Sequence, residues 1–300
     1  NKFRLGGNER SENNHCTRFR RNEKANPRAA EQRGGEPVSY LRNSAAVWLP
    51  TVIALATLLV VWEVAVWGFG IESWLLAPPS AVFGELYDSP GLLVGHAGTT
   101  LTEIILGFAI SISIGVVLAT GIVWSRVIER SVFPIIIASQ TIPIFALAPL
   151  LIIWIGTDIM SKVVVVVLFT FFPVVISLVT GLRSVDSEMV DMLRTLGATP
   201  YQTFSKLMVP TALPNFFAGM KVAAVVSVIG AVIGEWVGAS AGLGWLMKVT
   251  PQYQTARIFA AIVVLSVLAM GLFAAVVLWE KWALRKYPAT ANQVTGLGEP

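Results

Sequence analysis

Six apolar runs, at 45–67, 99–123, 132–155, 160–182, 218–236 and 257–282, constrain this sequence more than any other feature. A bilayer core about 30 Å thick takes about 20 helical residues at about 1.5 Å each, and each run is about that long. Backbone polar groups find no water in hydrocarbon, so each run must satisfy them internally as a helix. The expected fold is an all-α polytopic membrane protein with six transmembrane helices. Composition agrees. Only 13% of residues are charged, against about 25% for a soluble domain. Pro143 and Pro149 break the third run, and Pro173 lies in the fourth behind a row of valines. Between the first and second runs, 80–87 reads as an interfacial helix. The stretch 124–131 reads as a short loop.

Lys and Arg placement orients the spans, because cytoplasmic loops carry the excess of these residues. With both termini inside, 19 of the 22 Lys and Arg fall on the cytoplasmic side. Only Lys162, Lys248 and Arg257 fall outside. The domain plan is a basic, disordered cytoplasmic tail (1–44), a transmembrane domain (45–287) and a second cytoplasmic tail (288–300). The first tail has no apolar period and no cleavage site, which excludes a signal peptide. Its ten Lys and Arg are interleaved with five Glu, which argues against nucleic-acid binding.

The longest polar interval, 183–216, carries a dense set of helix signals. Asp186 caps a helix over 187–196, with Glu188 at its positive end and Arg194 at its negative end. Met189, Met192, Leu193 and Leu196 recur at helical spacing on one face. Gly197 stops the helix. Thr199 and Gln202 have capping-box spacing around Pro200, and a second helix runs to a stop at Pro210. The interval is a compact helix–Gly–helix knob in water, read either as an ordered connector or as a docking element.

Polar groups inside apolar spans are the other candidates. Ser139, Gln140 and Thr141 lie in the third span just before Pro143, whose missing N–H predicts a kink and a free Ser139 carbonyl. Such a cluster lines a pathway or bonds neighbouring helices. Glu63, Glu103 and Glu235 are acids near span ends. Glu63 and Glu103 read as interface residues. Glu235 and Trp236 precede the small-residue run 238–244, which can turn back into a protein-lined cavity.

Several chemistries are excluded. Cys16 is the one cysteine, so there is no intrachain disulfide and no multi-cysteine metal site. His15 and His96 are far apart, read as solvated, and form no metal-ligand or catalytic constellation. No catalytic, metal or cofactor-binding residue is expected. The phosphate-binding pattern G-x-x-x-x-G-K-[ST] does not occur, so any ATP is bound by another chain. A proton-coupled secondary transporter would use the intramembrane acids, but no inverted repeat is visible.

The knob resembles the loop of ATP-binding-cassette importer permeases, whose motif reads E-A-A-x3-G-x9-I-x-L-P. Gly197 and Pro210 match in place, with Leu207 and Val209 before the proline. Asp191, Met192 and Leu193 stand where that motif has Glu-Ala-Ala. From about 45 to 287 the chain is similar to the nitrate/sulfonate/taurine permeases: 76–80 (LAPPS), 143–150 (PIFALAPL), 154–156 (WIG) and 234–247 (GEWVGASAGLGWLM) carry the likeness. The last string is most similar to the branch that imports pyrimidine thiamine precursors and riboflavin. The resemblance implies a type I importer permease in a bacterial inner membrane, working as a homodimer with two cytoplasmic ATPase subunits and an extracytoplasmic substrate-binding protein. The knob would be its coupling helix, with Glu188, Asp191, Met192, Leu193, Arg194, Gly197 and Pro210 facing the ATPase. Ser139, Gln140, Thr141, Pro143, Glu235 and Trp236 would border the translocation pathway. The implied substrate is a small heterocyclic vitamin or precursor, the alternative being nitrate, sulfonate, taurine or bicarbonate.

Overall fold

The computed structural model describes residues 44–285, so nearly all of the first tail, the second tail, and Lys286 with Tyr287 lie outside the described residues. The chain divides into two units, 1–60 and 61–300. Of the first, the described part is the opening of one helix, α1 (Ser44–Gly68). The second unit holds the end of α1 and everything after it.

The described residues are helical throughout, with no strand among them. After α1 come α2 (Pro79–Asp88), α3 (Pro90–Trp124), α4 (Arg126–Ser139), α5 (Ile144–Ile155) and α6 (Ile159–Arg183). The polar knob holds α7 (Ser187–Thr195) and α8 (Pro200–Thr203). A π turn (Phe204–Met208) leads into α9 (Val209–Gly238), followed by the short α10 (Leu243–Val249) and by α11 (Thr255–Leu284). Five helical segments are long and apolar enough to cross a membrane, and α4 with α5 gives a sixth if the bent pair counts as one span.

Three boundaries differ from expectation. The second span starts at Pro90 rather than 99 and runs 35 residues. Proline suits a first-turn position, where its missing N–H would have had no partner. The expected loop 124–131 is almost wholly helix. Only Ser125 interrupts, and its hydroxyl caps the Ile128 N–H at 3.4 Å. The third span is not a kinked helix but two helices at 100°. The Ser139 carbonyl is not free either, since the Ile142 N–H reaches it at 3.3 Å. Tight i→i+3 turns at Gln140, Thr141 and Ile142 absorb the change of direction.

α6 is the hub, packed most extensively on α9 and then on α3. Hydrocarbon is as apolar as leucine, so burial alone does not pull these helices together; close packing does. Gly219 of α9 shows how close. A Cβ there would lie 2.5 Å from the Ser177 Cβ and 2.7 Å from the Pro173 carbonyl oxygen of α6. Val163, Val165, Val166, Val174 and Val175 of α6 are all buried. Stiff β-branched side chains present a fixed surface for that fit.

Ion pairs tie the helices near their ends. Lys221 of α9 meets both carboxylate oxygens of Glu280 on α11, at 3.1 and 3.0 Å. Arg257 of α11 meets Glu85 of α2 at 2.7 Å, and Arg183 of α6 meets Glu129 of α4 at 2.8 Å. Glu63 has an anchoring role. Its carboxylate accepts from the Ser80 N–H at 3.0 Å, the Ser80 hydroxyl at 2.7 Å and the Trp67 indole at 2.9 Å. An acid there satisfies an orphan donor in the first turn of α2.

Candidate functional site

The knob is built from local chemistry. Asp186 accepts the Glu188 N–H at 2.9 Å and opens α7. The helix closes in a full Schellman motif: Gly197 N–H to the Arg194 carbonyl at 2.9 Å, Ala198 N–H to the Leu193 carbonyl at 3.0 Å. Gly197 takes φ +81° there. Thr199 and Gln202 then form the expected capping box, at 3.3 and 2.9 Å. α7 has no buried residue: Met189 and Met192 stand exposed, as does the C-cap Leu196 at 75%. Asp191 and Arg194 pair on the surface at 3.4 Å, beside Glu188 and Leu193.

The second half of the knob differs from expectation, because Pro210 does not end it. One helical stretch runs from Pro200 to Gly238. An α-helical register would set the Pro210 ring against the Lys206 carbonyl. The π turn avoids this by widening one turn, with the Val209 N–H reaching back five residues to the Phe204 carbonyl. Phe204 packs edge-on to Trp124 at 5.6 Å. Phe204 and Met208 also rest on the buried cluster of Ala119, Leu178, Leu182 and Ala212. The knob is rooted in the bundle.

The pathway candidates fall in two places. Ser139, Gln140, Thr141 and Pro143 sit at the α4–α5 bend, with Gln140, Thr141 and Pro143 exposed. Ser139 and Thr141 donate locally to the carbonyls of Ile136 and Ala138, both at 2.7 Å. Glu235 and Trp236 lie near the end of α9. Trp236 is half exposed, but Glu235 is 1% exposed. Its carboxylate accepts the Thr100 hydroxyl at 2.6 Å and the Gly244 N–H at 2.5 Å. Two neighbours complete a clamp on the N-terminus of α10: Gly242 N–H to His96 Nδ1 at 3.1 Å and Leu243 N–H to the Thr100 hydroxyl at 2.9 Å. Three successive N–H groups, at 242, 243 and 244, are thus held by side chains of α3 and α9. Buried helix N-termini need such partners.

Two expectations fall here. Glu103 is not an interface residue; it is 2% exposed, one helical turn along α3 from Thr100. His96 is not a freely solvated residue: it is half-buried, accepts the Gly242 N–H, and its ring lies 5.4 Å from Trp245. His96, Thr100 and Glu103 recur at i, i+4 and i+7, one face of a helix. That signal was in the sequence but fell across the boundary assigned to the second span. Among the described residues no group of three His, Cys, Asp or Glu is placed to hold a metal.

Helices long and apolar enough to cross a membrane, with a capped and exposed helical knob between them, make a polytopic membrane fold. A chain of the inward-facing MetNI methionine ABC transporter shares this fold, with a TM-score of 0.54 at 19% identity over 63% of this chain and 95% of that one. Residues 111–283 match the binding-protein-dependent transport system inner membrane component family, and the chain belongs to it. It is 40% identical to the formylaminopyrimidine transport permease ThiX of Halalkalibacterium halodurans, over 76% of this chain and 91% of that protein. It is 34% identical to the riboflavin transport system permease RibX of Chloroflexus aurantiacus, over 80% and 90%. It is 28% identical to the taurine transport permease TauC of Escherichia coli, over 72% and 81%. The chain is therefore a multi-pass permease subunit of an ABC importer, not itself an enzyme. Permeases of this class work with ATPase subunits and a substrate-binding protein.

Proposed function

We propose that this permease imports a small heterocyclic vitamin or vitamin precursor, of the formylaminopyrimidine or riboflavin kind. It acts as a homodimer with the knob and both chain ends in the cytoplasm. What supports the substrate reading is the ordering of relatives: 40% and 34% identity to pyrimidine and riboflavin permeases, against 31% to an aliphatic sulfonate permease and 28% to a taurine permease. The cytoplasmic knob is supported by the distribution of Lys and Arg. Coupling is supported by the exposed apolar face of α7, which a groove on an ATPase would cover. Gln140, Thr141 and Pro143 at the α4–α5 bend, with Ser139 behind them and Trp236 near the end of α9, border the pathway. Glu235 acts there by fixing α10 rather than by facing the substrate.

The test is uptake by the complete importer in vesicles, comparing labelled formylaminopyrimidine, riboflavin and taurine. Saturable, ATP-dependent uptake of a heterocycle is expected, and it should weaken in Gln140→Ala at equal expression. Uptake of taurine alone would overturn the substrate reading.

A further inference from the structure

Two apolar hollows lie where α3 ends and the knob is rooted. One, of about 440 Å³, runs between α3 and α4 around Gly121, Trp124 and Ile128. The other, of about 270 Å³, lies between α3, α6 and α9 around Leu182, Phe204 and Leu213. Val116 and Thr120 of α3 line both, so the hollows diverge from one ridge. α3, α6 and α9 are long and apolar enough to cross a membrane. Apolar walls hold water poorly, whereas acyl chains surround such helices on every side.

The mouth is charged. The Trp124 and Phe204 rings, one from each hollow, meet edge-on at 5.6 Å. Arg126 and Lys206 each follow that contact by two residues, and both are exposed. Neither has an ion-pair partner among the described residues. Arg130, one turn beyond Arg126, is exposed and unpaired in the same way. Glu129 does not cancel these cations, because Arg183 takes it at 2.8 Å.

We propose that this end of the bundle binds an anionic phospholipid, with one acyl chain in each hollow and the phosphate between Arg126 and Lys206. A diacyl lipid has that plan: two chains diverging from one charged head. A zwitterionic lipid has the same chains but no net charge to match the cations, so charge decides the choice. Each Lys or Arg near an anionic membrane surface adds about fivefold in affinity. The bound lipid braces the root of the knob, since Phe204 forms part of its wall. That the leaflet is the cytoplasmic one rests on the orientation proposed above.

Native mass spectrometry of the assembled importer, titrated in detergent with phosphatidylglycerol or phosphatidylcholine, tests the site. Neither titration depends on which face is cytoplasmic, which thiol labelling in a Cys16→Ser background reads separately. Wild type should bind phosphatidylglycerol the more tightly. Arg126→Gln should weaken that binding about fivefold and Arg126→Gln/Lys206→Gln about thirtyfold, with phosphatidylcholine unchanged. Lys281→Gln removes an exposed cation on α11, away from both hollows, and should change neither. Gly121→Leu fills the larger hollow, where a Cβ makes ordinary contact with Ile128 Cδ1 at 3.6 Å, and should weaken both lipids. Equal affinity of wild type for the two lipids, or an equal loss in Lys281→Gln, would overturn the proposal. Phosphatidylglycerol held by the isolated permease but lost on assembly with the ATPase would give the hollows to a protein partner and overturn it as well.

Discussion

Replacing Gly242 with alanine should release α10 from the bundle. Gly242 has φ +109° and ψ 163°, a region that only glycine occupies freely. An L residue there costs about 1–3 kcal/mol. Space is a second obstacle. A Cβ at 242 would sit 2.2 Å from Glu235 Oε1 and 2.3 Å from its Cδ. The carboxylate must leave, forfeiting its bonds to the Thr100 hydroxyl and the Gly244 N–H. Each bond to a charged group contributes about 1.5–3 kcal/mol. Alanine recovers only about 0.4–1 kcal/mol by stiffening the unfolded chain. The net local loss is at least about 3 kcal/mol, or a hundredfold in the opening equilibrium at about 1.4 kcal/mol per decade. Hydrogen exchange of the α10 amides, in protein held in lipid discs, reads that opening directly. Gly271→Ala on α11 is the control, since a Cβ there meets nothing within 4 Å. Exchange in Gly242→Ala no faster than in the control would refute the reasoning.

At the knob, a Cβ at 197 meets no neighbour within 4 Å, so the main effect of Gly197→Val is backbone strain at φ +81°. It should insert normally yet lose binding-protein-stimulated ATP hydrolysis in the reconstituted complex, while Gly197→Asn, which tolerates that conformation, should keep most of it. In the Cys16→Ser background, cysteines at Ser205 and Ser240 should react with an impermeant thiol reagent from opposite sides; reaction of both from one side in intact cells would disprove the orientation. Lys221→Met strands Glu280 half inside the bundle and should destabilise by about 3 kcal/mol, with Lys221→Met/Glu280→Leu recovering most of the loss in a thermal melt.

What was legible from the sequence is what local chemistry decides. An apolar run of sufficient length needs no partner to declare itself, so each expected run is helical, although the second helix starts at Pro90 and the third run is split in two. The knob is spelled out the same way, as Asp186, Gly197 and the Thr199–Gln202 pair each act within a few residues. The failures share another cause. Pro210 fits a helix interior only because the chain spends one π turn on it, a choice made by the packing of Phe204 and Met208. Pro143 marks the break in the third run, but its 100° angle goes with the packing of α5 on α6 and α9, which no local pattern encodes. The α10 clamp joins residues more than a hundred positions apart, so Glu103 and His96 looked like isolated polar residues near a span end.

The stretch from Pro200 to Gly238 has 39 residues, about 58 Å of helix at about 1.5 Å per residue. It begins at the knob and carries Glu235 close to its other end. Mechanically it is a lever arm with a latch at the tip. Tilting a rod of that length by a single degree moves its far end by about 1 Å, enough to take a hydrogen bond of ordinary length out of reach. Moved as one rod, the stretch would carry a displacement of the knob to the α10 clamp with no relay of side chains in between.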